Sequence, residues 1–85
     1  MRPVSFARDI CPLFRPIDVE HMRPFNVWLD DYVYMADAAN DHQHARDVYD
    51  YLAGIKQPQM PIGGPFWTVD QLALFNRWMR EGYSP

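Results

Sequence analysis

At 85 residues the chain has room for one domain with a small core. An apolar share of 48% and an aromatic share of 15% exclude a disordered tail. The net charge is −3 and seven of the eight basic residues are arginines scattered among carboxylates, so no basic stripe exists for nucleic acid, and no apolar run reaches the ~20 residues that span a bilayer.

The opening Met1-Arg2-Pro3-Val4-Ser5 carries no apolar stretch of the signal-peptide kind. With one cysteine in the chain, the expected compartment is the cytoplasm. The first element is expected from Ser5, a suitable N-cap, to about Phe14, with Phe6, Ile10 and Leu13-Phe14 at helical spacing. Pro12 should strain its last turn and Pro16 should stop it. From Asp18 to about Val27 the pattern allows one or two turns opened by an Asp18 cap and interrupted at Pro24. Residues 28–39 read as a loop holding one short helical turn, because a lone strand would have no partner.

The third segment is a helix by every local criterion. Asn40 and Gln43 can cap it reciprocally, Ala45, Val48, Tyr49 and Leu52 share a face, and Gly54 suits the residue after its end. The fourth opens on a Thr68–Gln71 capping box with Asp70 in the first turn. It carries Leu72, Phe75 and Met79 on one face, has Arg77 and Arg80 near its end, and closes at Gly82. The expectation is one all-α domain over residues 1–85, with three main helices and long irregular connections.

Two stretches carry more than secondary structure: Ser5-Phe6-Ala7-Arg8-Asp9-Ile10-Cys11-Pro12-Leu13-Phe14, and Met60-Pro61-Ile62-Gly63-Gly64-Pro65 leading to the last helix. Together they resemble the two ends of a small class I c-type cytochrome, and Leu74 to Gly82 resembles that family's closing helix. The resemblance covers residues 4–14 and 60–83; the middle agrees only in element order. It implies a cytochrome c-like fold, with Met60 in the place of the distal methionine. The haem-attachment motif Cys-x-x-Cys-His is missing. Aligned without a gap from Pro12, its cysteines fall on Asp18 and His21 and its histidine on Met22; a one-residue deletion puts Ile17 and Glu20 at the cysteines and keeps His21. Neither alignment permits a thioether, so the expectation is a haem-free domain without a cofactor. The alternative is noncovalent haem, or another cofactor, held by His21 and Met60 in an electron-transfer protein.

Other candidate chemistry is sparse. His42 and His44 flank Gln43, but residues two apart on a helix face different ways, so they are expected as solvent-exposed first-turn residues and no metal site is expected. Cys11 has no partner set for a nucleophile and reads as a buried or half-buried thiol. Gly63-Gly64 is a turn, since no Lys-Ser/Thr follows to make a phosphate loop. No catalytic constellation is visible, so the chain is not expected to be an enzyme by itself. The aromatic residues leave two readings open: they refill the place of a lost cofactor, or some stand exposed as a partner surface. The candidate partner-binding residues are Trp28, Tyr32, Tyr34, Met60, Phe66 and Trp67, and the expected partner is a larger bacterial enzyme.

Overall fold

The computed structural model describes residues 2–85. Ser5 caps the first element as expected: its hydroxyl accepts the Arg8 amide at 3.2 Å, while the Asp9 carboxylate accepts the Ser5 amide at 2.9 Å. Pro12 has no N–H to return to the carbonyl of Arg8, and the segment divides around it. Phe6–Ile10 forms a wide π turn closed by the Cys11 amide on the Phe6 carbonyl, and Cys11–Leu13 a tight 3-10 turn.

The second segment departs from expectation. Helix α1 runs Pro16–Met22, so Pro16 opens a helix instead of ending one. Proline at the first helical position loses only an N–H that would be orphaned there in any case, and its fixed φ suits the helix. Asp18 is therefore two residues inside the start. Its carboxylate accepts the Arg15 amide at 3.0 Å and pairs with the Arg15 guanidinium at 2.9 Å. A 3-10 turn, Arg23–Phe25, follows and ends at Asn26 with φ +60°. Helix α2 is the single turn expected in the 28–39 loop. It spans Tyr32–Met35 and is capped by the Asp31 carboxylate on the Val33 amide at 3.0 Å.

Helix α3, Ala39–Leu52, does not start as expected. Asn40, Asp41 and His42 lie in the left-handed region, at φ +54°, +59° and +58°, so the Asn40–Gln43 cap is absent. Asn, Asp and His tolerate that region better than most side chains, though each such residue still costs about 1–2 kcal/mol. The offset comes from Arg46, which donates to the carbonyls of Asp41 at 2.8 Å and Asn40 at 3.0 Å. A second contribution is His42, whose ring lies on Tyr83 with centroids 3.8 Å apart and planes 4° apart. From Gln43 onward the expected helix forms and buries Ala45, Val48 and Leu52. Gly54, at φ +78°, closes it: its amide reaches Tyr51 at 3.4 Å, and that of Ile55 reaches Asp50 at 2.9 Å.

Helix α4, Val69–Arg80, carries the expected capping box, with Gln71 N–H on the Thr68 hydroxyl at 3.1 Å and Thr68 N–H on the Gln71 side chain at 2.8 Å. Gly82 ends it at φ +102°, and the ring of Tyr83 then packs edge-on against Trp78 at 5.1 Å. The last residues fold back on the first element. Phe6 and Ala7 donate to the carbonyls of Ser84 at 2.9 Å and Pro85 at 3.0 Å, and the Trp78 indole N–H also reaches Ser84, at 2.9 Å. The domain is all-α, with no strand among the described residues and no helix long and apolar enough to cross a membrane. Its core runs from Val4, Phe6 and Ile10 through Met35, Ala45 and Val48 to Phe75 and Trp78. Helices α3 and α4 pack on one another, α2 lies on α3, and the π turn lies on α4. That leaves α1 and the α3–α4 loop facing each other across an open cleft.

Candidate functional site

The cleft has a volume of about 540 Å³. Its first wall is α1, where Ile17 and His21, and likewise Asp18 and Met22, are four residues apart and so share a helix face. Phe25 extends that wall. The second wall is α3, which presents His44, Asp47, Val48, Tyr51 and Leu52 at i, i+3, i+4, i+7 and i+8, with Tyr34 from α2 beside them. Pro58, Met60, Pro61 and Ile62 of the connecting loop close one end, and Phe14, Leu29 and Trp67 bring core side chains to its lining.

Met60 is fixed there by its own backbone, whose amide donates to the Tyr51 carbonyl at the end of α3 at 2.9 Å. Trp67 is held by Phe14, with ring centroids 5.1 Å apart, and edge-on by Phe75 at 6.0 Å. The charged lining is matched within the protein. Arg15 grips Asp18, holding its carboxyl below the usual range, and Lys56 grips Asp47 at 2.7 Å. Burial, with a smaller contribution from Asp47, pushes the Tyr34 hydroxyl above the usual phenol value.

His44 is anchored on its inner side. Its Nδ1 sits 2.9 Å from the Tyr34 carbonyl, and its ring stacks on the Tyr34 ring at 3.9 Å and 12°. The expectation of two solvent-exposed histidines is therefore corrected: both are half-buried and stacked on tyrosines. The cause is the left-handed start of α3, which turns His42 toward Tyr83. Cys11 is half-buried, and burial raises its thiol, with Asp30 adding to the effect. Among the described residues no three His, Cys, Asp or Glu side chains gather as a metal-binding group.

Comparison with protein families, with curated proteins and with solved structures finds no match.

The residues singled out from the sequence divide into three groups. His21, Tyr34, Met60 and Trp67 come together on the cleft, from α1, α2 and the loop. Trp28 and Phe66 are exposed outside its lining, at 39% and 51%. Tyr32 is elsewhere: its hydroxyl donates to the Tyr83 carbonyl at 2.6 Å and its ring lies on Phe6, so it serves the fold. Trp67 is 9% exposed and is a core residue as well as part of the lining.

Ile62 falls within the Met60 to Trp67 loop expected as a contact surface, whereas sequence reasoning missed Ile17 and Phe25 and did not join His44 to Tyr34. The i, i+4 pair Ile17–His21 was the available signal, hidden by the reading of Pro16 as a stop. His44 and Tyr34 are ten residues apart across an irregular connection, and no periodicity joins them.

Proposed function

We propose that this chain is a haem-free, cytochrome c-like accessory protein, non-catalytic by itself, that docks through the rim of its cleft onto a larger bacterial enzyme in the cytoplasm. One observation carries the reading: Ile17, Phe25 and Ile62, which stand around a single cleft, are 65%, 65% and 60% exposed. A small domain with a core of its own gains nothing from leaving three large apolar side chains in water on one face, and grouped exposure of this kind marks an interaction surface. Phe66, close to Ile62 in the chain, extends the same loop outward. The test is co-purification of the chain from its native cells at stoichiometric ratio with one large enzyme. Phe25→Ala and Ile62→Ala should release that enzyme while leaving the chain folded. A chain that stays monomeric and captures nothing refutes the reading.

A second reading is favoured by the meeting of His21 and Met60 on one cleft from two separate elements. An imidazole nitrogen and a thioether sulfur are the donor set for a low-spin haem iron at raised potential, which would supply one-electron chemistry. The donors fit that group; the rest fits poorly. Asp18 and His21, or Ile17 and Glu20, stand where a covalent haem needs cysteines. Arg15, the one arginine or lysine of the lining among the described residues, is committed to Asp18, so anionic haem substituents find no free counter-charge there. Haem titration of the wild type, His21→Ala and Met60→Ala separates the readings. Saturable one-to-one binding whose low-spin spectrum is lost in both variants establishes the cofactor; absence of binding leaves the haem-free reading.

A further inference from the structure

We infer that the cleft is a binding site for an uncharged aromatic hydroxy compound, seated against the Tyr34–His44 wall. This goes beyond the accessory reading and does not rest on it, since it requires no protein partner. A volume of about 540 Å³ falls within the span of small-molecule sites. The lining is mostly apolar or aromatic, with Phe25, Tyr51 and Trp67 available to flank a ring.

Charge decides part of the ligand's chemistry. Asp18 is held by Arg15 and Asp47 by Lys56, so the carboxylates at the cleft are already paired. A charged ligand would give up hydration on entering and meet no unmatched opposite charge. The occupant is therefore neutral.

Hydrogen bonding decides the rest. His44 Nδ1 lies 2.9 Å from the Tyr34 carbonyl and 4.0 Å from an Asp37 carboxylate oxygen. Both are acceptors, so Nδ1 carries a proton, and it is the tautomer with a lone pair at Nε2 that the site would use. Stacked on it at 3.9 Å, Tyr34 offers a phenolic O–H whose hydroxyl bonds no group among the described residues. Tyr34 and His44 thus bring a donor and an acceptor to one wall of a mostly apolar cleft. A single ligand hydroxyl satisfies both by accepting from Tyr34 and donating to Nε2. An ether or a bare hydrocarbon cannot satisfy both.

The test is a ¹⁵N–¹H chemical-shift titration of the purified full chain with 2-naphthol, 2-methoxynaphthalene and 2-naphthoate. Saturable shifts should map to Val48, Leu52, Met60 and Trp67 with 2-naphthol. Binding should be about tenfold weaker for the methoxy compound, which cannot donate, and for 2-naphthol with Tyr34→Phe or His44→Phe. Tyr34→Phe removes a hydroxyl that supports nothing in the fold, so it tests the site even where His44→Phe loosens α3. Equal affinity for naphthol and its ether, or unchanged affinity in Tyr34→Phe, overturns the inference. So does tighter binding of the naphthoate, a shift map on another face, or no saturation by about 1 mM.

Discussion

Trp67 and Phe66 are neighbours in sequence and opposites in environment, and replacing each by alanine tests the architecture of the cleft. Trp67 is 9% exposed and wedged between Phe14 and Phe75. Truncating a buried tryptophan costs about 3–5 kcal/mol. The lower end applies here, because Trp67 borders an open cleft and water can enter the space it leaves. A chain of 85 residues is stable by about 4–13 kcal/mol in all, so this one change removes roughly a fifth or more of the total. Phe66, 51% exposed, should cost about 0.5 kcal/mol or less.

Urea denaturation followed by far-ultraviolet circular dichroism reads the difference without relying on tryptophan emission. With a slope of about 1 kcal/mol per molar urea, Trp67→Ala should move the midpoint down by about 3 M and Phe66→Ala should barely move it. If Trp67→Ala costs less than about 1 kcal/mol, Trp67 is not a pillar of the core and the described packing is wrong there. The same pair then calibrates any interface experiment: loss of a partner on Phe66→Ala reports the surface, whereas loss on Trp67→Ala reports unfolding.

Thr68→Ala removes the acceptor for the Gln71 amide and should cost about 1 kcal/mol in the same urea assay, while the backbone N–H at position 68 keeps its Gln71 side-chain acceptor. Gly82→Ala should cost about 1–2 kcal/mol, because its φ of +102° is strained for any L side chain even though the added Cβ meets nothing within 4 Å. Acid should destabilise the fold in a definite window. Hydrogen bonding to Arg8, with the Ser5 amide, lowers Asp9 to about 2, and hydrogen bonding to Arg77, with the Val4 amide, lowers Glu81 in the same direction. A carboxyl lowered in the folded state stabilises above its unfolded value and loses that contribution as pH falls, so urea midpoints should drop from about pH 4 toward about pH 2, and less steeply in Asp9→Asn.

Local rules made much of the fold legible. The Thr68–Gln71 box, the two glycine stops at Gly54 and Gly82, and the apolar face of Ala45, Val48 and Leu52 are short-range signals with one physical solution each. What the sequence hid was decided between distant segments. Pro16 reads equally as the end of one helix or the start of the next. Asn40 to His42 take left-handed dihedrals because Arg46 and Tyr83 reward them, and neither partner is visible in a local window. The cleft was half legible: the likeness at Met60 and His21 pointed to both, while Tyr34–His44 exists only once α2 lies on α3.

The fate of the aromatic residues explains why the cleft stays open. Refilling it is one of the two readings the sequence leaves open; Tyr34, Tyr51 and Trp67 do line the cleft, while other rings pack on the far side of the core. Phe6, Tyr32, Trp78 and Tyr83 join in one cluster, with Phe6 at 5.7 Å from Tyr32 and 5.5 Å from Trp78. Hydrogen bonds from Tyr32 and Trp78 to the carbonyls of Tyr83 and Ser84 lock that cluster to the closing residues. The indole and phenol groups could bury there because carbonyl partners were supplied at 2.9 and 2.6 Å. On the cleft side Arg15, Asp18, Asp47 and Lys56 bring paired charges to the lining and its edge, and charges of this kind resist the desolvation that collapse would impose. Closing the cleft would also bury the Tyr34 hydroxyl without a partner, at a cost of about 1–3 kcal/mol. The opening therefore follows from where the chain places its polar groups, and the groups that hold it open are those that select what enters.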